Sequence, residues 1–260
     1  MTQDSRVALT VDEGRAVLTL NRPPVNALSR DFLQEIRDVV DRCSEDSSVR
    51  VLIIVSERPK AFSAGADIEE LRGLDAVEST TFSEQGQGLC NVLESVPKPV
   101  IAAVRGVAFG GGCELALACD LRIVGNSASF ALPEVNLGII PGWGGTQRLP
   151  RLVGKTVGLE MMMMGKPISA SRALEVGLVN RVVADDEVLD EALRIGAILA
   201  AKPPRSLAII KRAVSEGSSK LDQGMFILER TLFTQARSSK DAQEGIEAFL
   251  EKRKPNFKGQ

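Results

Sequence analysis

The chain has 260 residues, a formal net charge of −2, 44 % hydrophobic and 25 % charged residues, ordinary usage for a globular protein with one or two cores. That balance exerts no global pull toward nucleic acid or an anionic membrane surface. Histidine and tyrosine are absent, which excludes a Ser-His-Asp or Cys-His nucleophile, a histidine base and histidine-ligated metal, and leaves acid–base work to Asp, Glu, Lys, Cys or water.

The N-terminal MTQDSRVALTVDEGR lacks an apolar stretch and does not read as a secretory leader. The longest apolar run is interrupted by Arg105 and Glu114 and falls short of spanning length, so a cytoplasmic protein without membrane contact is expected. Val7–Val11 and Ala16–Leu20 predict a hairpin through Asp12-Glu13-Gly14. Ser29 can cap a helix that places Phe32, Ile36, Val39, Val40 and Cys43 on one face. Val51–Val55, Val100–Val104 and Leu121–Val124 are continuous apolar runs of strand length, as expected of strands buried on both faces. Each is followed by a small-residue loop, AFSAGAD, RGVAFGGG and GNSASFALPE respectively. The recurrence of strand, loop and helix predicts an α/β fold with a repeated supersecondary unit.

The last third reads as helical. Ser169–Val176 has a capping serine and a terminating Gly177, and Asp185–Ala201 begins with acids. Leu207–Val214, Leu221–Phe233 and Asp241–Lys252 follow, with Lys202-Pro-Pro-Arg205 as the best boundary, dividing residues 1–201 from 202–260. Met161–Met164 reads as part of a core helix. The four cysteines match no metal or redox spacing and read as reduced, buried small hydrophobes.

The chemistry concentrates around FGGGCELALACD (Phe109–Asp120). Glycines at a helix start leave amides exposed to an anion or a polarised carbonyl, or else form a tight strand-to-helix junction. AFSAGAD is a second such loop, and parallel neighbouring strands would let one amide from each converge on one oxygen, the geometry of an oxyanion hole. Glu114 lies in an apolar setting, and Glu134 in ALPEVNLG follows the next strand. Two such carboxylates suit paired acid–base work, where burial and mutual repulsion raise pKa values; the alternative is a capping or ion-paired role for each.

AFSAGADI, PVIAAVRGVAFGGGCELALACD, FALPEVNLGIIPGWGGTQRLPRLVG and EGIEAFLEKRKPNF together resemble the enoyl-CoA hydratase/isomerase (crotonase) family, over nearly the whole chain from Asn21 to Lys254. The resemblance implies a spiral of repeated β-β-α units with a C-terminal helical region through which copies assemble as homotrimers or as hexamers of two trimers. It places the oxyanion amides at Ala64 and Gly111 and the acid–base pair at Glu114 and Glu134. It places Asn26, Ala27, Leu28, Ala64, Gly65, Ala66, Asp67, Ile68, Gly142 and Trp143 along the CoA thioester. The implied reaction is reversible hydration of a trans-2-enoyl-CoA to a 3-hydroxyacyl-CoA in fatty-acid metabolism, with no metal or redox cofactor and coenzyme A only as part of the substrate.

Trp143 departs from many hydratases, which carry a small residue there; it either narrows the acyl pocket or packs in the core. Lys252-Arg253-Lys254 and Lys258 form a basic tail, either solvated or in contact with CoA phosphates. Two other functions remain open: a Δ3–Δ2 enoyl-CoA isomerase using Glu134 alone, and an RNA-binding member of the fold, against which the acidic balance argues.

Overall fold

The computed structural model describes residues 6–202, 204–217, 230–231, 233–234 and 237–256. The expected helix over Leu221–Phe233 lies mostly outside them, as does Lys258.

The hairpin forms as β1 (Val7–Asp12) and β2 (Arg15–Leu20). Glu13 and Gly14 both take positive φ, 45° and 80°, at its turn, as a two-residue turn between right-twisted strands requires. Helix α1 (Arg30–Glu45) starts at Ser29, whose side chain accepts from Phe32 N, and it buries the expected apolar stripe.

Strands β3 (Val51–Ser56), β5 (Val100–Val104), β7 (Leu121–Gly125) and β10 (Arg181–Val183) continue the sheet in the order β1-β2-β3-β5-β7-β10, and every pair from β2 onward is parallel. Both faces of β3 are covered. Leu52 and Ile54 join the main core, whereas Val51, Ile53 and Val55 pack with Val188, Ala192 and Ile195 of helix α7 (Val188–Ala200).

The loops predicted after the three buried strands contain strands of their own. β4 (Ala61–Ser63), β6 (Val107–Phe109) and β8 (Ser129–Ala131) build a second sheet, in the order β4-β6-β8-β9 with β9 (Ile168–Ser169). Three residues are too few to show an alternating pattern. Each turn of the spiral thus lays one strand in the large sheet and one in the small sheet before its helix. Those helices are α2 (Ile68–Arg72) with α3 (Ala76–Ser95), then α4 (Gly111–Leu117), then α5 (Gly145–Met164), which breaks at Gly154.

Past α6 (Ala170–Glu175), β10 interrupts the helical last third; α8 (Pro204–Gly217) and α9 (Lys240–Leu250) complete the described elements. One expectation changes. Met161 is buried, but Met163 and Met164 are 69 % and 51 % exposed, so only one end of the methionine run belongs to the core. Arg253 pairs with Glu244 and Glu251, at 2.6 Å from each, and like Lys252 and Lys254 it is exposed. All four thiols are free and buried, and burial pushes Cys119 up to about 12. No helix among the described residues is long and apolar enough to cross a membrane.

Candidate active site

The parallel pairing of β4 with β6 brings the two glycine loops into contact. Gly65 has φ +97°, and a Cβ there would fall 2.8 Å from Phe109 O and 3.2 Å from Gly111 N. Gly110, with φ 50° and ψ −126°, stands just before α4; both conformations favour glycine. Gly111 opens that helix, so its N–H belongs to a first turn without intrahelical acceptors.

The amide expected at Ala64 already has a backbone acceptor. Ala64 N donates to Val25 O at 3.0 Å, Gly65 N to Ser63 Oγ at 3.1 Å, and Asp67 N to Leu28 O at 3.0 Å. Between them, Ala66 pairs with Leu28 in a parallel bridge. The bonds of that bridge are carried by its neighbours, so its own N–H faces away and meets no acceptor among the described residues. The loop amide that is open to a ligand is therefore that of Ala66, and Ala64 is a structural donor.

Both glutamates reach the same cleft. Glu114, 1 % exposed, directs Oε1 at two backbone amides, Trp143 N at 2.8 Å and Gly145 N at 2.7 Å. Glu134 begins a short 3-10 turn, and its Oε1 lies 3.1 Å from where a Cβ on Gly110 would be. Cys113 registers both acids: its thiol is raised well above the usual range by burial and then by the negative charges of Glu134 and Glu114.

The cleft between them has a volume of about 70 Å³ and includes Ala64, Gly65, Ala66, Ile68, Gly111, Gly142 and Trp143 in its wall. Four expected ligand-binding residues do not line it. Asn26 and Leu28 are fully buried, and Ala27 is half-buried. The Asn26 amide donates to Ser56 Oγ and Phe62 O and accepts from Arg22 N. Asp67 caps α2 and pairs with Arg22 at 2.6 Å. These residues hold the 64–67 loop in place.

Trp143 is both core and wall. It is 4 % exposed and meets Phe82 edge-on, with ring centroids 5.4 Å apart. Its loop is held by buried groups on α3 and α5: Ser83 Oγ and Gln87 Nε2 donate to Gly142 O at 2.6 and 3.0 Å, and Arg148 Nη1 to Trp143 O at 2.8 Å. Phe82, Ser83 and Gln87 lie outside every motif, and Arg148 lies inside FALPEVNLGIIPGWGGTQRLPRLVG without being singled out there. The capping box of Asp75 and Glu78 was the available signal for α3.

The indole also constrains which variants are informative. A Cβ at Gly86 or at Gly111 would fall 2.2 Å from its ring. Gly86→Ala should therefore destabilise the fold by about 1–3 kcal/mol through overpacking. Adding Trp143→Leu should recover part of that loss, a non-additivity measurable by denaturant unfolding of the two single variants and the double. Purely additive effects would show that ring and glycine do not compete for space.

A sequence profile of the enoyl-CoA hydratase/isomerase family matches residues 10–260. The chain belongs to that family. It is 47 % identical over 256 residues to a probable enoyl-CoA hydratase of Bacillus subtilis, covering 98 % of this chain and 99 % of that one. It is 44 % identical to a crotonyl-CoA hydratase of Syntrophomonas wolfei, covering 96 % and 97 % of the two chains. Among solved structures, an enoyl-CoA hydratase from Mycobacterium avium subsp. paratuberculosis superposes with a TM-score of 0.88 at 27 % identity, over 98 % of this chain and 99 % of that one. In a family defined over nearly the full chain, the glycine-loop contact and the two cleft carboxylates occupy the segments that carried the sequence resemblance.

Proposed function

We propose that this chain catalyses the reversible syn addition of water across the double bond of a trans-2-enoyl-CoA, giving a 3-hydroxyacyl-CoA. The observation that carries the reading is the convergence of two glycine loops and two glutamates on one cleft. The thioester oxygen accepts from the amides of Ala66 and Gly111, and negative charge developing there is stabilised by donors already in place. Glu114 and Glu134 hold the water. Its oxygen bonds to C3, one carboxylate removes its proton, and Glu134 delivers a proton to C2, so the glutamates together end as they began.

Glu114 is suited to orienting water because the loop amides bind one carboxylate oxygen and fix the direction of the other. Carbonyl polarisation and water activation both come from protein groups, so the proposed reaction uses neither a metal nor a redox cofactor, and coenzyme A enters as substrate. The names of the relatives, enoyl-CoA and crotonyl-CoA hydratase, support the same reaction.

In this reading the protein works in the cytoplasm, with residues 1–201 as the catalytic spiral and 202–260 as the helical part that joins copies into a homotrimer or a hexamer. Exposed Ile209, Ile210 and Val214 on α8 offer apolar surface for such contact. The experiment is direct: incubate the purified chain with crotonyl-CoA and follow loss of the conjugated-thioester absorbance. An unchanged absorbance, with 3-hydroxybutanoyl-CoA equally untouched in the reverse direction, would refute the proposal.

A further inference from the structure

Trp143 is the single tryptophan of the chain, and it stands in the cleft wall beside Gly111 and Glu114. The ring is accommodated because both of its closest neighbours lack side chains. A Cβ at Gly86 would fall 2.2 Å from Cδ2, and one at Gly111 2.2 Å from Cζ3. Its backbone is held on both sides, by Glu114 at the N–H and by Arg148 at the carbonyl. The remaining volume of about 70 Å³ is well below the roughly 300–1,000 Å³ of sites that enclose drug-sized ligands.

We propose that Trp143, seated between Gly86 and Gly111, is the stop that limits this site to enoyl-CoAs with the shortest acyl chains. The inference deepens the hydratase reading and rests on it. With the thioester oxygen anchored at Ala66 and Gly111, carbons beyond C3 run along the apolar wall of Ile68, Leu71, Phe82 and Trp143. The glycines offer no flexible side-chain atoms that could yield, and close-packed interiors resist added volume. A methylene that such a wall does not accommodate costs about 10–200-fold in kcat/KM. Truncating the ring opens a void that neither glycine can fill, and apolar voids of this kind stay dry and accept apolar ligands.

The test is a kcat/KM series over crotonyl-, hexenoyl-, octenoyl- and decenoyl-CoA for the intact chain and for Trp143→Phe, Trp143→Leu and Trp143→Ala. Dissociation constants of the matching saturated acyl-CoAs are measured by calorimetry alongside. The intact chain should lose at least about 10-fold between crotonyl- and octenoyl-CoA. The fall should move to longer chains as the ring shrinks, with the octenoyl-to-crotonyl ratio rising about 10-fold or more in Trp143→Ala. Saturated esters should follow the same order, and because their binding needs no turnover, this arm reads chain length even if hydration itself is absent. A flat profile in the intact chain, or one unchanged in the folded variants, overturns the inference. Trp143→Phe and Trp143→Leu leave smaller voids and carry the same criterion if Trp143→Ala does not fold.

Discussion

Replacing Glu134 by glutamine should slow hydration of crotonyl-CoA by roughly 10²–10⁴-fold, the usual contribution of a positioned acid or base. Glutamine keeps the volume of the side chain over Gly110, so the dissociation constant of butanoyl-CoA should stay within a few-fold. Glu114→Gln should cost a comparable factor, for a reason visible in its hydrogen bonds. Two N–H groups, from Trp143 and Gly145, point at one carboxylate oxygen. The glutamine must present its carbonyl oxygen to them, because an NH₂ there would face two donors. Its NH₂ then occupies the other oxygen's place, where it can neither take the water's proton nor carry the charge. If Glu114→Gln stays within a few-fold of the intact chain while Glu134→Gln is inactive, the site runs on one acid, and double-bond isomerisation replaces hydration as its reaction.

Removing single amide hydrogens should separate the two alanines of the first loop. Lactic acid at position 66 replaces an N–H by an ester oxygen with almost no change in shape, and hydration should fall by roughly 10²–10³-fold, as for one lost oxyanion donor. Glycolic acid at position 111 should do the same while avoiding the collision of a new side chain with Trp143. At position 64 the same exchange breaks the bond to Val25 O. Stability should drop by about 0.5–1.5 kcal/mol, with kcat/KM nearly kept in the folded fraction. A large activity loss at 64 with none at 66 would return the role to Ala64.

That one-residue difference shows where a motif stops being informative. SAGAD marks the loop, but which N–H faces the cleft depends on the parallel bridge between Leu28 and Ala66, a tertiary contact with a segment far away in the chain. Elements with a strong local signal were legible: the hairpin with its two-residue turn, α1 with its serine cap, and the β3 and β5 runs buried on both faces. Helix α3 was not, because the side it buries carries Ser79, Ser83, Gly86 and Gln87 among its apolar residues. Those residues make room for an indole and supply donors to Gly142 O, so the helix lacks the apolar stripe that periodicity detects. Trp143 was legible as either wall or core, and it is both, its burial being inseparable from its place in the wall.

Helix α9 packs on the turn that carries Glu134. A side chain on Gly138 would strike the backbone of Asp241 and Ala242, and one on Gly245 that of Leu137. During synthesis the ribosome therefore releases both sheets, both glycine loops and Glu114 before the residues that brace Glu134's turn. The nascent spiral should therefore stay chemically idle until its last described helix docks, because a long-range closure of this kind is the slow kind of contact to make. Refolding from denaturant should show the same order, with native sheet signal returning ahead of turnover; simultaneous recovery of the two would mean that α9 is not what completes the site.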